Sequence, residues 1–471
     1  MRRAYTILLA LCCALAAALA TAGPVQAAQK TITNATQFTD KSGDPLHAHG
    51  GGVIKVGKYY YWFGENRNAD NTFRYVSAYR STDLKNWKFR NHVLTQATDP
   101  ELAHANIERP KVMYNAATGK FVMWMHKENG TDYSEARAAV AVSDTVDGDY
   151  TWRGSFRPLG EHMSRDITVF VDTDGTGYMV SAARENYDLH IYRLTADYTG
   201  VASLVANPWP GGHREAPALF KRDGVYFMLT SGATGWNPNQ QKYATATDLA
   251  GPWTAMANIG DSTTYGSQTA YVLPVQGKKA TSYLYMGDRW GNSFGGTVND
   301  SRYVWLPLTF PTSTTMTMNW YPELVVDAAR GTITGQGGPY ETLTAAHSGK
   351  CADVPGQSVR EGVALTQWTC NGGGNQKFWF KRFGDADKVQ LIARHSSLCL
   401  QENEGSVTQE ACAKSAKNQK WKVITSGDHV TIQSRASGKC LDVADGSTAN
   451  SAALITYTCN GQTNQQWVRG S

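Results

Sequence analysis

The chain has 471 residues, of which 41% are hydrophobic and 11% aromatic but only 18% charged. This length is too great for one compact core and predicts two or three domains. The net charge of +5 is modest and no lysine- and arginine-rich run concentrates it, so nucleic acid is not expected as a partner. The low charge content suits neutral ligands rather than phosphates.

The N-terminal segment MRRAYTILLALCCALAAALATAGPVQAA predicts export. It has two arginines, an apolar run and small residues at an Ala-x-Ala-like site, so we interpret residues 1–28 as a cleaved signal peptide. A membrane anchor is the alternative, but the apolar run is short and a cleavage site follows it. We expect a secreted, extracellular monomer that is not attached to a membrane.

A two-strand pattern recurs five times between residue 49 and about residue 310. Each copy has a polar residue, an apolar strand, a turn with glycine and an aromatic-rich strand, and the copies lie roughly 50 to 60 residues apart. A unit of this length holds the three or four strands of one propeller blade, which predicts an all-β, five-bladed β-propeller over residues 29–328. A β-sandwich is the alternative, but it would not show so long a period.

The first strand of each blade begins beside the central axis of a propeller, so the residues that begin these strands should face one shared pocket. These residues are His49, Glu108, Asp166, Glu215 and Gln268. An arginine adjoins each of the three carboxylates, but strand neighbours face opposite sides and need not form ion pairs. We therefore predict that three carboxyls, an amide and a histidine converge.

The last third of the chain contains a second repeat with six cysteines. Three units share two cysteines and an Asn-Gln-x-aromatic ending, which predicts a β-trefoil over residues 341–471, after a linker at 329–340. Each unit should close its own disulfide, as expected for an exported chain, and the predicted pairs are Cys351 with Cys370, Cys399 with Cys412 and Cys440 with Cys459.

Carboxyl groups in one pocket of an exported, weakly charged protein indicate glycoside hydrolysis, in which one carboxylic acid protonates the leaving oxygen while another group activates water. Oxygen ligands for calcium are the main alternative use of these residues. No Asp/Asn-rich loop is present, so we expect no catalytic metal and no cofactor, while a structural calcium ion is left open.

The five motifs as they stand here carry a specific resemblance: AHGGGVIKVGKYYYWFGEN, NIERPKV, SRDITVF, REAPALF and GSQTAYV. Together they resemble glycoside hydrolase family 43, and within it the exo-β-1,3-galactanase branch, over residues 40 to about 325. The C-terminal repeats resemble carbohydrate-binding module family 13, the ricin-type trefoil.

The resemblance implies roles for the pocket residues. Glu215 would be the general acid, Asp166 would tune the pKa of Glu215, and Glu108 would contact the bound sugar. The usual base of the family, an aspartate at the first blade, is replaced here by His49 and Gly50.

Asp44-Pro45 imitates that aspartate motif but lies five residues too early. Gln268 matches the glutamine proposed to take over in the galactanase branch. A neutral amide is a weak base, so Gln268 would act through an imidic-acid tautomer or would hold the water while Glu108 accepts the proton.

The resemblance also implies further contacts with the substrate and with bound sugar. The substrate-contact positions of the branch match Glu65, Tyr133, Asn186 and Thr234. The sugar-binding pattern of the trefoil matches Asp353, Trp368 and Asn375 in the first unit, and Asp442, Tyr457 and Asn464 in the third. The middle unit has Gln401 for the aspartate and no aromatic, so we expect two working sites.

The resemblance implies a secreted enzyme that releases galactose from the non-reducing end of β-1,3-galactan, the arabinogalactan backbone, with inversion at the anomeric carbon. Two alternatives stay open. One is an α-L-arabinofuranosidase or β-xylosidase of the same family, and the other is a secreted galactan-binding lectin with an inactive propeller.

Overall fold

The computed structural model describes residues 29–384 and 388–470, and the signal peptide expected at 1–28 lies outside this range. The described residues form strands, turns and short 3-10 helices without an α-helix, as the all-β prediction requires. Over the same residues, no helix is long and apolar enough to cross a membrane.

The described part of the chain starts with β1 (Lys30–Thr33) and then forms four-stranded antiparallel sheets in simple chain order. Sheet 1 holds β2 (Val53–Val56), β3 (Tyr59–Arg67), β4 (Phe73–Ser81) and β5 (Lys88–Thr95). Sheet 2 holds β6 (Asn106–Asn115), β7 (Lys120–Glu128), β8 (Arg137–Ser143) and β9 (Thr151–Phe156). Sheet 3 holds β10 (Ile167–Val171), β11 (Gly177–Ala183), β12 (Asp188–Leu194) and β13 (Val201–Ala206).

Two more sheets follow the same plan. Sheet 4 holds β14 (Arg214–Arg222), β15 (Val225–Gly232), β16 (Gln241–Ala246) and β17 (Ala257–Ile259). Sheet 5 holds β18 (Gln268–Gln276), β19 (Thr281–Arg289), β20 (Arg302–Thr309) and β21 (Thr317–Met318). Four 3-10 helices lie between strands, at Pro100–Leu102, Pro158–Gly160, Gly291–Phe294 and Val298–Asp300.

The sheets pack face to face in a closed, propeller-type ring. Side chains alternate across a strand, so consecutive residues of a central strand enter different cores. Met123 of β7 packs between sheets 1 and 2, whereas Trp124 packs between sheets 2 and 3. In the same way, Met228 packs towards sheet 3 and Phe227 towards sheet 5. Burial on both faces explains why these strands are almost continuously apolar.

Sheets 5 and 1 meet in the fifth core, which an additional small sheet covers. Strand β1 pairs with β22 (Glu323–Asp327), which pairs in turn with β23 (Thr332–Gln336). Ile333 of β23 is buried in this core with Trp62 and Trp305. The segment expected as a linker, 329–340, is therefore partly a strand, because its alternating Thr332–Gln336 stretch places Ile333 against the propeller-type part.

The remaining strands form the trefoil part around one apolar core, with Phe378, Trp421 and Trp467 fully buried. Its strands are β24 (Tyr340–Ala345), β25 (Cys351–Asp353), β26 (Val363–Ala364), β27 (Thr366–Trp368), β28 (Phe378–Arg382), β29 (Lys388–Ala393), β30 (Cys399–Asn403), β31 (Ser406–Glu410), β32 (Trp421–Ser426), β33 (His429–Ser434), β34 (Cys440–Val443), β35 (Leu454–Tyr457) and β36 (Trp467–Gly470). Its 3-10 helices are Pro355–Gln357, Gly374–Gln376, Lys417–Gln419, Ala444–Gly446 and Thr463–Gln465. The three predicted disulfide pairs are confirmed, with one bond inside each repeat.

Candidate active site

Polar side chains from four of the sheets and from the loops of sheet 3 line one pocket of about 300 Å³. Bulges re-aim the strands that supply them. The register shifts between Glu108 and Lys111 in β6, and between Glu215 and Ala218 in β14. A bulge bends the strand and breaks the alternation of side chains, so neighbouring residues can both serve the pocket.

Glu215 is a buried carboxyl whose pKa is shifted strongly toward the acid form. Its Oε1 accepts a hydrogen bond from Nε2 of Gln268 at 2.9 Å, and its Oε2 accepts one from Nδ2 of Asn186 at 2.9 Å. Burial and the nearby Asp166 raise the pKa of Glu215 to about 8. A carboxyl with this pKa holds its proton at neutral pH, as a general acid must.

The amide of Gln268 is fully engaged. Its Oε1 accepts hydrogen bonds from Nη2 of Arg109 at 2.7 Å and from Nε1 of Trp290 at 2.8 Å. Its Nε2 donates to Glu215 and to Oγ of Ser231, both at 2.9 Å. The two N–H donors at the oxygen and the two acceptors at the nitrogen fix the orientation of the amide. They also disfavour the imidic-acid tautomer, because its oxygen would carry a proton.

Glu108 lies in a dense network of positive charge. Its Oε1 accepts hydrogen bonds from Nη2 of Arg67 and the hydroxyl of Tyr133, each at 2.8 Å, and its Oε2 lies 3.2 Å from Nδ1 of His126. Burial alone would raise the pKa of Glu108, but His126 and Arg67 lower it below its usual value. Glu108 is therefore an ionised carboxylate and a weak base.

Arg109 connects three of the pocket residues and was not assigned a role from the sequence. Its side chain forms an ion pair with Asp166 at 2.7 Å and a hydrogen bond with Gln268, while its backbone N–H donates to Oε1 of Glu65 at 2.9 Å. Asp166 also accepts a hydrogen bond from the backbone N–H of Ala216 at 3.0 Å. The bulge after Glu108 gives Arg109 a φ of 53° and turns it into the pocket.

Glu65 reaches the pocket from the second strand of sheet 1, opposite His49. Its Oε2 accepts hydrogen bonds from Nε and Nη2 of Arg67 at 3.1 and 2.7 Å. A Cβ on Gly50 would lie only 2.3 Å from Oε1 of Glu65, so Gly50 leaves the space that the carboxylate occupies. Burial raises the pKa of Glu65 although Arg67 opposes this effect.

His49 lies next to the pocket but does not line it. The ring is fully buried, stacks on Tyr303 with centroids 4.8 Å apart, and places Nδ1 3.1 Å from Oδ1 of Asp288. Asp288 also accepts a hydrogen bond from the backbone N–H of Gly50 at 2.8 Å. His49 thus fixes the backbone at the start of sheet 1.

The structure brings most of the predicted residues together. Glu65, Glu108, Tyr133, Asp166, Asn186, Glu215 and Gln268 all line the pocket. Thr234 does not line it, because its hydroxyl is bound within the loop by Asn237 and Asn239. The neighbours Ala233 and Gly235 contribute instead.

Sequence reasoning missed several lining residues: Arg67, Arg109, His126, Trp236 and Trp290. Two of them left a signal. Arg67 lies two residues after Glu65 and therefore on the same strand face, and the tryptophan in GATGW, Trp236, lies two residues after Thr234. The other positions depend on strand register and bulges that the sequence does not display.

Glu108, His126 and Asp166 place one ligand atom each within 4.8 Å of one another, which is a spacing suited to a metal. Arg67 and Arg109 already pair with the two carboxylates. Burial would lower the pKa of His126, but Glu108 and Glu128 raise it to about 9. Calcium prefers oxygen ligands without competing cations, so this cluster does not fit a calcium ion.

The first trefoil repeat forms a polar cluster beside an exposed ring. Oδ2 of Asp353 accepts hydrogen bonds from Asn375 at 2.9 Å and from Gln376 at 2.8 Å. Trp368 pairs with Cys351 across the hairpin and is 41% exposed. A carboxylate beside an open aromatic face can bind sugar hydroxyls and C–H groups together.

The third repeat copies this arrangement and the second does not. Asp442 accepts hydrogen bonds from Asn464 and Gln465, and Tyr457 is 55% exposed at the position that matches Trp368. In the second repeat Gln401 accepts a hydrogen bond from Gln419, and Glu410 pairs with Cys399 where the others have an aromatic ring. The second repeat therefore lacks a stacking surface.

Comparisons with known proteins agree with this division. The family model for glycosyl hydrolases family 43 matches residues 48–277, and that for the ricin-type beta-trefoil lectin domain matches residues 339–467. The comparison with curated protein sequences found no match.

Solved structures give similarity over almost the whole chain. The exo-β-1,3-galactanase 1,3Gal43A from Clostridium thermocellum is 47% identical, covering 93% of this chain and 99% of that one, with a TM-score of 0.67. An exo-β-1,3-galactanase from Phanerochaete chrysosporium, solved with β-1,3-galactotriose, is 30% identical over 91% and 100% of the chains, with a TM-score of 0.66.

A family 43 β-1,3-galactosidase solved with galactodeoxynojirimycin is 35% identical. It covers 62% of this chain and 99% of its own, with a TM-score of 0.57. The chain therefore belongs to glycoside hydrolase family 43 and carries a ricin-type β-trefoil domain at its C-terminal end.

Proposed function

We propose that the protein is an exo-β-1,3-galactanase that removes galactose from the non-reducing end of β-1,3-galactan with inversion. The observation that supports this most directly is Glu215, a buried carboxyl with a pKa of about 8 in a pocket lined by four sheets and the loops of sheet 3. The similar structures that are exo-β-1,3-galactanases supply the substrate class. The five sheets would be the blades of one five-bladed propeller.

Glu215 would act as the general acid. Its proton passes to the glycosidic oxygen as the bond between that oxygen and the anomeric carbon breaks, and the departing galactan keeps the proton. Asp166 would assist by raising the pKa of Glu215, since its negative charge disfavours a second carboxylate nearby.

Water must attack the anomeric carbon from the face opposite Glu215. The saturated amide of Gln268 supports a role in positioning Glu215 and the water rather than in accepting a proton. Glu108, with its lowered pKa, would bind sugar hydroxyls.

We propose that Glu65 is the general base, which accepts the proton from the attacking water. Burial raises the pKa of this carboxyl, and a carboxylate with a higher pKa is a stronger base. Glu65 also fills the space beside Gly50, where the resemblance places the family's usual aspartate.

The trefoil part would bind the same polysaccharide through its first and third repeats. Three disulfides support an extracellular location, in keeping with the export signal expected at residues 1–28. We propose that the protein acts as a monomer and without a catalytic metal.

The deciding experiment compares the release of galactose from β-1,3-galactan, β-1,4-galactan and arabinoxylan. Galactose from β-1,3-galactan alone is expected, and proton NMR should show α-galactose as the first anomer formed. Pentose release from arabinoxylan would instead assign the arabinofuranosidase or xylosidase activity. Binding of galactan without hydrolysis would leave the protein a lectin.

A further inference from the structure

A second cavity, of about 440 Å³, lies between the propeller-type part and the trefoil part. Its propeller-side lining includes the turn at 261–266 and the residues Ser293, Phe294 and Trp320. The trefoil side contributes 356–360, 372–374, Arg394 and His395. We call this cavity the interdomain cleft.

A buried arginine joins the two sides of the cleft. Arg289 of β19 is fully buried and donates hydrogen bonds to the carbonyl oxygens of Tyr265 and Gly266 on its own side, at 2.6 and 3.3 Å. It also donates to the carbonyls of His395 and Ser396 on the trefoil side, at 3.1 and 3.2 Å. Because one guanidinium satisfies carbonyls of both parts, pulling them apart would break its hydrogen bonds to His395 and Ser396, which holds the cleft in a fixed shape.

The cleft adjoins the active-site pocket through two short segments. In the first segment, Trp236 lines the pocket and Pro238 lines the cleft. In the second segment, Trp290 lines the pocket and Ser293 lines the cleft. The rings of Trp236 and Trp290 pack edge to face with centroids 5.2 Å apart. The two tryptophans and the loops that carry them therefore lie between the two cavities at these positions.

The other end of the cleft adjoins the first trefoil repeat. The turn 356–360 begins three residues after Asp353, the end of a strand, and 372–374 directly precedes Asn375. Within the described residues, two buried polar atoms of the lining, Nε1 of Trp320 and Nδ1 of His395, form no hydrogen bond of good geometry and have only weak contacts, with Tyr340 and the backbone of Gly374. Unsatisfied buried donors and acceptors favour a polar ligand.

We propose that the interdomain cleft binds a stretch of the same β-1,3-galactan chain whose end lies in the active site, so that both parts of the protein hold one polysaccharide. The lining combines hydroxyls, arginines and an aromatic ring, which suits neutral sugar units. The inference rests on the proposed galactanase function and extends it to the substrate beyond the cleaved bond.

The test fills the cleft without touching the pocket. Ser262 lies exposed on the propeller side, and Ser262→Trp would occupy space that sugar needs. Ser203→Trp on the exposed face of β13 is the matched control. Kinetics are measured with long β-1,3-galactan and with β-1,3-galactobiose, which is too short to reach the cleft.

Ser262→Trp should raise KM for long galactan at least threefold and leave kcat and the kinetics with galactobiose unchanged, while Ser203→Trp changes neither. Unchanged KM for long galactan overturns the inference, as does an equal loss on both substrates, because that would place the effect in the active site. If the unmodified protein neither binds nor hydrolyses galactan, the proposed function fails first and the cleft inference fails with it.

Discussion

Gly50 and Glu65 share one space at the start of sheet 1, since a Cβ on Gly50 would lie 2.3 Å from Oε1 of Glu65. The carboxylate cannot easily move away, because Arg67 binds one of its oxygens and the N–H of Arg109 binds the other. Gly50 therefore shapes the active site, because a side chain at this position would collide with the carboxylate of Glu65.

Gly50→Ala should reduce kcat/KM on β-1,3-galactobiose at least tenfold, because the new methyl group displaces Glu65. Gly57→Ala is a close control, since Gly50 and Gly57 have φ values of 62° and 58° but a Cβ on Gly57 meets nothing within 4 Å. Both variants should lose about 1–2 kcal/mol of unfolding free energy from the left-handed backbone. Equal activity of the two variants would show that Gly50 contributes only its backbone conformation.

Glu215→Gln should lower kcat on β-1,3-galactobiose by a factor of about 10²–10⁴, the range typical of a general acid. The loss should be much smaller on 2,4-dinitrophenyl β-galactoside, whose leaving group needs no proton. Binding of β-1,3-galactotriose by calorimetry should persist. A similar loss on both substrates would remove Glu215 from the acid role.

The same residue predicts the pH dependence. Since the pKa of Glu215 is raised from its ordinary 4.5 to about 8, kcat/KM should fall as pH rises through about 8. Its contribution to stability is complete below pH 4.5 and is lost as pH rises through 8. Glu215→Gln should therefore gain unfolding free energy relative to the unmodified protein between pH 5 and pH 9, as denaturant unfolding at both pH values would show.

Much of this site could be predicted from the sequence, because the residues that begin each repeat are fixed by the repeat itself. Glu108, Asp166, Glu215 and Gln268 all line the pocket, as the propeller argument requires. The same argument placed His49 there, yet its ring turns to Asp288 and Tyr303 instead. The repeat in the sequence predicts which residues lie beside the propeller axis, but it does not determine the rotamer of each side chain.

The contacts of Arg109 show a second limit of prediction from the sequence. Strict alternation along β6 predicts that Arg109 faces away from Glu108, and it does not bind that carboxylate. The bulge nevertheless turns it into the pocket, where it pairs with Asp166. Bulges depend on pairing with the neighbouring strand, so a single strand's sequence does not reveal them.

The proton acceptor can be identified by azide rescue. Azide is a nucleophile that needs no deprotonation, so it restores turnover only where a base has been lost. We expect azide to accelerate Glu65→Ala on 2,4-dinitrophenyl β-galactoside and to yield α-galactosyl azide, but to leave Glu108→Ala unchanged. Rescue of Glu108→Ala would transfer the base to Glu108, and rescue of Gln268→Ala alone would favour the amide.

The trefoil should bind galactan through two of its three repeats. Trp368→Ala and Tyr457→Ala each remove an exposed ring, and each should abolish one of the two trefoil galactose sites measured by calorimetry on Glu215→Gln protein. Combining all three substitutions should leave only binding at the propeller-type part.

Gln401→Ala is the control in the second repeat, which has Glu410 in place of a ring and should lose nothing. Because the disulfides Cys351–Cys370 and Cys440–Cys459 hold both hairpins, the exposed rings can be removed without unfolding the domain. Unchanged stoichiometry in the doubly substituted trefoil would show that the aromatic clusters do not bind sugar.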